Sequence, residues 1–374
     1  MTEPAPDTYA LKSVVPTGIP APDLPYRPPM PRTYRPNIGV IGAGGIVAAH
    51  LDAYRTAGWQ VAAICNRTLA KAEAKAAEFA PTARVTDRWQ DLIDDPDIDV
   101  LDITPHPADR MPLIEAALRA GKHVLSQKPF VLDLDQGAAL VSLARDNGVK
   151  LAVNQNGRWA PHLSWMRHAV RAGLIGEVIS AHVAIHWYHG WIKGTPFERI
   201  EPLILYDFAI HWFDFVASLT GDRATHVFAT AAHAAGQSAA VPLLSQALIR
   251  LDHGQASLIF NGAAPFGPSD TTYVAGTKGS LSSHGPDLGS QTVTLTTAAG
   301  RARPTLTGNW FNDGFRGAMG ALLVAIEDDS EPANGAAENL KSLALAFAAI
   351  QSARSGREVA VGAVRRLDLS GGIK

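Results

Sequence analysis

The chain has 374 residues, of which 47% are hydrophobic and 18% are charged, and its formal net charge is −2. This ordinary globular composition argues against nucleic-acid binding and against attraction to an anionic membrane surface. The one cysteine, Cys65, excludes an intramolecular disulfide and a multi-cysteine zinc site. No signal peptide and no apolar run of membrane-spanning length is recognisable, so we expect a soluble, cytoplasmic protein.

Residues 1–36 form a proline-rich N-terminal arm, because they hold ten of the 25 prolines. Proline favours an extended backbone and removes hydrogen-bond donors. Two interpretations follow, a disordered tail or an arm that packs along another subunit. Composition does not choose between them.

A glycine-rich turn between an apolar run and a helical pattern is typical of a dinucleotide site. Gly42 allows the tight turn, and Gly44 lets backbone N–H groups approach a pyrophosphate at the helix N-terminus. Gly45 and Ile46 complete this expected phosphate-binding turn. Val47 stands where the usual motif has a third glycine, so we expect the helix slightly farther from the strand. The alternative interpretation is an ordinary strand-to-helix turn.

Strand and helix patterns alternate through residues 37–155, which predicts a Rossmann domain, a doubly wound parallel sheet with helices on both faces. The predicted strands are residues 37–41, 61–65, 100–103, 123–125 and 151–153. The predicted helices are residues 46–57, 68–79, 109–120 and 134–147.

The end of the second strand favours NADP over NAD. In this fold an acidic residue there binds the adenosine ribose of NAD, but the chain has Asn66 and Arg67 instead. Arg67, together with Lys71, is suited to a 2′-phosphate, and Asn66 can still bond a hydroxyl, so NAD use stays open. The alternative interpretation is a solvated arginine on a loop.

Lys128 lies just past the carboxyl end of a predicted strand, where open α/β sheets place their ligands. Here the chain resembles the glucose–fructose oxidoreductase, inositol dehydrogenase and rhizopine-catabolism (Gfo/Idh/MocA) family of NAD(P)-dependent oxidoreductases. The matching residues are Gly42, Gly44 and His50, Thr104-Pro105, the run 120–124, and Gln127-Lys128-Pro129. Gln127 replaces a glutamate of that pattern, and Arg110 replaces a histidine.

The resemblance implies a cofactor groove, a second domain with an open sheet, and a homodimer or homotetramer. The cofactor-binding residues implied by it are Thr104, Pro105, His106, Gln127, Lys128, Arg158 and Trp159.

After residue 155 the pattern changes to sequential strands with short connections, which predicts an α+β domain with an open, mostly antiparallel sheet over residues 156–374. The predicted strands are residues 177–187, 225–231, 245–251, 256–260, 271–275 and 292–297. The predicted helices are residues 161–172, 203–219, 315–328 and 337–355.

A polar stripe on one of these predicted helices is the strongest catalytic pattern in the chain. Asp207 and His211 are four residues apart and share a helix face, and Asp214 lies near the same stripe. The alternative interpretation is an aspartate–histidine pair satisfied within a core. The family has an aspartate and a histidine at this spacing beside its lysine, so the resemblance implies that Lys128, Asp207 and His211 are catalytic.

Three histidines and two tryptophans lie close together in the sequence: His182, His186, His189, Trp187 and Trp191. His182 and His186 alternate with apolar residues as strand neighbours do, and no cysteine or acidic ligand set accompanies them. We therefore expect no metal site. Aromatic and polar side chains on a sheet face suit sugar binding.

Together these patterns predict an enzyme that transfers a hydride between a nicotinamide and a carbinol carbon of a sugar, a sugar derivative or a polyol. His211 would be the general acid/base, Lys128 would stabilise the alkoxide, and Asp207 would orient one of them. Two alternatives stay open: a non-redox enzyme that uses transient oxidation in an elimination, and a catalytically silent NADP-binding sensor.

Overall fold

In the computed structural model, which describes residues 16–369, the first half of the chain forms a parallel sheet. Its strands are β1 (Ile38–Ile41), β2 (Val61–Cys65), β3 (Arg84–Thr86), β4 (Val100–Ile103), β5 (His123–Ser126) and β6 (Leu151–Val153). They pair in the order β3-β2-β1-β4-β5-β6. Chain order reverses between β1 and β4, and ligands bind at such a switch point, beyond the carboxyl ends of the strands.

Helices connect these strands, as the alternating pattern predicts. They are α1 (Val47–Ala57), α2 (Leu69–Phe79), α3 (Gln90–Ile93), α4 (Pro107–Arg119) and α5 (Leu134–Asp146). The Rossmann prediction is confirmed. The sequence pattern missed β3, a three-residue edge strand, because so short and partly exposed a segment shows no apolar alternation.

The second sheet is mixed and open. Its strands are β7 (Val178–His186), β8 (Ala224–Ala232), β9 (Leu244–Leu251), β10 (Gln255–Asn261), β11 (Ser269–Gly276), β12 (Gly279–Gly285), β13 (Thr292–Thr297), β14 (Gly300–Ala302) and β15 (Val359–Ala360). Their order is β14-β13-β12-β11-β7-β10-β9-β8-β15, and among the described strands of this second sheet only β7 and β10 pair in parallel. The predicted mostly antiparallel sheet is therefore confirmed.

Four helices accompany this sheet in the described part of the chain, and the last two are the longest. They are α6 (Pro161–Arg171), α7 (Ile210–Thr220), α8 (Trp310–Glu327) and α9 (Ala336–Ser355). Phe315 and Met319 of α8 share a buried cluster with Val47 and Leu51 of α1, so the second half of the chain packs directly on the Rossmann half. Val47 is fully buried there and fills the space that a third glycine would leave.

The helix predicted at residues 203–219 is wrong in one respect. A π-helical turn, Ile204–Phe208, comes first, and α7 begins only at Ile210. Such a turn holds one more residue than an α-turn, so the four-residue spacing no longer places side chains one above the other.

The part of the proline-rich arm that the structure describes packs on its own chain. The Tyr26 carbonyl accepts a hydrogen bond from Ser164 Oγ at 2.7 Å, and the Tyr26 hydroxyl contacts Thr307 Oγ1 at 3.2 Å. Glu327 accepts the backbone N–H groups of residues 32–34. A disordered tail therefore does not describe residues 16–36, contact of the arm with another subunit stays a prediction, and residues 1–15 lie outside the described part.

Candidate active site

The glycine turn after β1 has the geometry that a pyrophosphate needs. Gly42 has φ +104°, and a Cβ there would lie 2.3 Å from Thr104 Oγ1, so only glycine fits. A Cβ on Gly44 or Gly45 would meet no atom within 4 Å, which leaves open space above the start of α1. Backbone N–H groups facing this space can hold phosphate oxygens at the helix N-terminus. The residues present therefore fit a dinucleotide.

The loop after β2 holds its shape through one amide, and its cations Arg67 and Lys71 are exposed. Asn66 Oδ1 accepts from Ala43 N at 3.0 Å, and Asn66 Nδ2 donates to Thr68 O at 2.9 Å. The Arg67 side chain is 90% exposed and lies 3.8 Å from Asp109. Lys71 is exposed one helical turn later. This end of the groove is positive and holds no carboxylate between residues 66 and 71.

A cavity of about 420 Å³, called here the central cavity, lies beside the switch point. Its lining includes Ile46, Thr104, Pro105, His106, Arg110, Gln127, Lys128, Trp191, Phe197, Tyr206 and Asp207. Six of the predicted cofactor-binding residues and two of the predicted catalytic residues therefore meet in one place. Both halves of the chain contribute, as expected for a site between two sheets.

Lys128 and Asp207 form the charged pair of the central cavity. Lys128 Nζ lies 3.2 Å from Asp207 Oδ1 and donates to the Asp207 backbone carbonyl at 3.0 Å. Both side chains are largely but not fully buried. A partly desolvated ammonium held in this way can donate to a hydroxyl or alkoxide placed beside it.

His211 is within electrostatic reach of Lys128 but makes no hydrogen bond to this pair, and it is not among the residues that line the central cavity. No hydrogen bond to either of its ring nitrogens exists within residues 16–369, and its Nδ1 is enclosed. Burial first, and then the Lys128 charge, hold the pKa of His211 well below its ordinary value. The imidazole is therefore neutral and able to accept a proton at neutral pH.

Asp207 lies in the π-helical turn and His211 in the first turn of α7, and the two side chains have different neighbours. Asp207 points to Lys128, whereas the His211 ring packs edge-on against Trp310, with 5.2 Å between ring centroids. A Cβ on Gly157 would lie 3.2 Å from His211 Nδ1, so glycine gives the imidazole its space.

Asp214, the third member of the predicted stripe, belongs to a separate ion pair. Its carboxylate accepts from Arg158 Nε at 2.8 Å and Arg158 Nη2 at 2.7 Å, and from Ser342 Oγ at 3.0 Å. Arg158 also donates to the Ala333 carbonyl. Trp159 is buried where a Cβ on Gly317 would overlap it. The structure thus places Arg158 and Trp159 away from the central cavity, because both side chains are engaged inside the protein.

A buried hydrogen-bond chain that the sequence did not reveal reaches Lys128 from the Rossmann core. Asp102 Oδ2 lies 2.7 Å from His50 Nδ1 and accepts from the Tyr54 hydroxyl at 2.6 Å. Gln127 Nε2 lies 2.8 Å from His50 Nε2, and Gln127 Oε1 accepts from Lys128 N at 2.6 Å. The Gln127 amide thus fixes the backbone of Lys128.

The histidines of β7 and of the loop after it contact hydroxyl and aromatic side chains. His182 Nδ1 bonds to Ser257 Oγ at 2.7 Å, and the Trp187 and His189 rings stack with 6.3 Å between centroids. Within residues 16–369 no group of three metal-ligating side chains could hold an ion.

In the same range, no helix combines the length and the apolar character needed to cross a membrane.

Comparison with known proteins gives matches in both halves of the chain. Residues 36–155 match the profile described as "Oxidoreductase family, NAD-binding Rossmann fold", and residues 164–282 match the GFO/IDH/MocA C-terminal domain. Inositol 2-dehydrogenase of Rhizobium meliloti is 28% identical over 331 residues, which cover 86% of this chain and 98% of that protein.

Two further proteins extend the comparison. D-apiose dehydrogenase of Paraburkholderia graminis is 27% identical over 335 residues, covering 86% of this chain and 88% of that protein. The crystal structure of an oxidoreductase from Agrobacterium radiobacter in complex with NAD+, L-tartaric acid and magnesium superposes with a TM-score of 0.78 at 22% identity. That superposition covers 88% of this chain and 99% of the other, and it shows that the two chains share a fold.

Proposed function

Because the chain belongs to the GFO/IDH/MocA family of NAD-binding oxidoreductases, we propose that it is a dehydrogenase or reductase of a sugar, a sugar derivative or a polyol. The observation that carries this proposal is the Lys128–Asp207 pair, 3.2 Å apart, with the neutral His211 beside it. Relatives named inositol 2-dehydrogenase and D-apiose dehydrogenase support a small polyhydroxylated substrate.

The roles of the three residues follow from their surroundings. When bound, the nicotinamide exchanges a hydride with the carbinol carbon of the substrate. His211 takes the hydroxyl proton during oxidation, since burial keeps its imidazole neutral. Lys128 donates to the developing alkoxide, and Asp207 holds the ammonium in place at 3.2 Å. In the direction of reduction the same groups return the proton.

The cofactor proposal is NADP in preference to NAD. Arg67 and Lys71 form a positive loop end with Arg67 90% exposed, and a 2′-phosphate would neutralise that charge. The family is described as NAD-binding, and the Agrobacterium radiobacter structure that shares this fold holds NAD+, so NAD use remains compatible with this site. Asn66 is the residue suited to the ribose hydroxyl of NAD.

A substrate screen tests the proposed function. The purified chain is mixed with NADP+ or NAD+ and a panel of aldoses, alditols, inositols and sugar acids, and reduced cofactor is followed at its absorbance band. We expect one class of substrate to reduce the cofactor stoichiometrically. Product formation without net absorbance change would instead identify transient oxidation, and cofactor binding without any turnover would identify a sensor.

A further inference from the structure

The central cavity contains a buried cation that the proposed reaction does not use. Arg110 lies on α4, is 1% exposed, and still contributes to the cavity wall. An arginine is almost never fully buried unless a carboxylate or another anion pairs with it.

Two of the guanidinium nitrogens have neutral partners and the third has none. Arg110 Nε donates to the Pro105 carbonyl at 2.9 Å, and Arg110 Nη1 donates to Ser126 Oγ at 3.1 Å. Within residues 16–369, no hydrogen-bond acceptor contacts Arg110 Nη2. No carboxylate oxygen of the same range lies within 4 Å of the guanidinium. Asp102 and Asp207 act on Arg110 only at longer range. Burial lowers the pKa of Arg110 to about 10, so the group remains charged at neutral pH.

A second unused donor lies beside Arg110. The Tyr206 hydroxyl is buried in the same cavity wall and has no hydrogen-bond partner among the described residues. Burial raises the pKa of Tyr206, and the Arg110 charge opposes that rise, which places the two groups within electrostatic reach. A buried hydroxyl without a partner carries a free-energy cost that a bound acceptor would remove.

The charges of the cavity do not balance without a ligand. Among the charged residues that line the cavity, Lys128 and Asp207 pair at 3.2 Å and Arg110 has no carboxylate within 4 Å, since Asp102 acts on it only at longer range. One carboxylate, with a single negative charge and two oxygens, matches one guanidinium edge and one hydroxyl. A phosphate dianion would leave an excess of negative charge in a largely apolar cavity that Trp191 and Phe197 also line.

Building on the proposed function, we propose that the substrate is a sugar acid, an aldonate or a uronate, whose carboxylate binds Arg110 and Tyr206 while its reacting carbinol lies at Lys128. The residues that determine this specificity are thus Arg110 and Tyr206, and neither takes part in the proton transfer.

Matched acidic and neutral ligands test the proposal. The protein loaded with NADP(H) is titrated calorimetrically with hexonates and hexuronates, such as D-gluconate and D-glucuronate, and with their neutral counterparts D-glucitol and D-glucose. D-Glucose 6-phosphate is a further probe. We expect at least one sugar acid to bind about tenfold or more tightly than its neutral counterpart and than the phosphate, the size of a charge-assisted hydrogen bond.

Variants assign that preference to the two residues. Arg110→Gln removes the charge, and Tyr206→Phe removes only the hydroxyl, which has no partner to lose. Both should reduce sugar-acid affinity roughly tenfold while neutral-sugar affinity stays the same. Arg119→Gln, on the same helix but 64% exposed and paired with Glu115, is the matched control and should change neither affinity.

Three outcomes would overturn the proposal: neutral sugars that bind as well as the acids, no binding by any acid, or equal losses for both ligand classes in folded Arg110→Gln and Tyr206→Phe. Binding is measured separately from cofactor reduction. Sugar acids that bind through Arg110 without being oxidised would therefore contradict the proposed dehydrogenase activity and leave the carboxylate site intact.

Discussion

Arg67 tests cofactor choice at the scale of a single residue. Its guanidinium is 90% exposed and holds only a 3.8 Å contact to Asp109, so removing it should not disturb the fold. We expect Arg67→Ala to weaken NADP(H) binding about tenfold or more, the size of a charged hydrogen bond, and to leave NAD(H) binding almost unchanged. Cofactor fluorescence titration measures both. Equal losses for the two cofactors would contradict the NADP proposal.

The buried His162 should make the free energy of unfolding depend on pH. It is buried on α6 with Nε2 unpartnered, and burial lowers its pKa from 6.5 to about 3. Below pH 6.5 the unfolded chain binds a proton at this residue and the folded chain does not, so stability is lost as pH falls toward 3. The slope from one such group approaches about 1.4 kcal/mol per pH unit.

The variant His162→Gln removes that proton uptake and should flatten the decline of the unfolding free energy between pH 6 and 4. Denaturant titrations at several pH values measure it, with the exposed His284→Gln as the control. If the folded His162→Gln protein lost unfolding free energy with pH as steeply as the wild type, proton uptake by His162 on unfolding would not be the cause of the decline.

At the scale of secondary-structure elements, Asp214 joins three segments. It lies on α7 and pairs with Arg158, which precedes α6, and it accepts from Ser342 on α9. Removing one partner of a buried ion pair leaves a buried charge uncompensated. Asp214→Asn should therefore lower the free energy of unfolding by about 3–5 kcal/mol.

The control for this prediction is Asp222→Asn, because Asp222 pairs with Lys341 but is 80% exposed. Exposed ion pairs contribute little, so chemical denaturation should find almost no change. Similar unfolding curves for both variants would mean that the Asp214 pair does not hold the three segments together.

These elements also show where prediction from sequence ends. The β1–α1 turn and five of the six strands of the first sheet follow from apolar runs and glycines close together in the chain, and they were predicted correctly, whereas β3 was missed. The π-helical turn before α7 was not predicted, since its extra residue has no local sequence signal. β12 was not predicted either, because its serines and glycines have low strand propensity. Its strand conformation depends on pairing with β11 and β13, which are tertiary contacts.

The same limit applies to the site. Lys128 was predicted from its place after a strand and from the family pattern. Arg110 appeared in the sequence only as a departure from that pattern, and its burial beside Tyr206 depends on two segments that are far apart in the chain. Burial and missing partners are properties of the folded chain, so sequence alone could not assign Arg110 to the cavity wall.

At the scale of the whole molecule, the second sheet leaves one face uncovered. Large apolar side chains are exposed there: Ile179, Phe228, Leu248 and Tyr273 are between 40% and 58% accessible. Phe228 and Leu248 are direct neighbours across β8 and β9. An open sheet face with several exposed large apolar side chains is typical of subunit interfaces, which supports the expected homodimer or homotetramer.

We expect Leu248→Glu to lower the assembly mass, because it places a charge in the middle of that face. Light scattering measures the mass, with Leu69→Glu as control, since Leu69 is 40% exposed on α2 of the other half of the chain. A Leu248→Glu protein with the mass of the wild type would mean that the open face is not the interface.

The most direct test of the catalytic assignment is the rate of cofactor reduction in a single turnover by the His211→Gln variant, followed by stopped-flow absorbance with the substrate that the screen identifies. We predict a fall of roughly a hundredfold or more, the usual contribution of a general base, with unchanged cofactor affinity. A folded His211→Gln protein that reduces the cofactor at close to the wild-type rate would contradict the assignment.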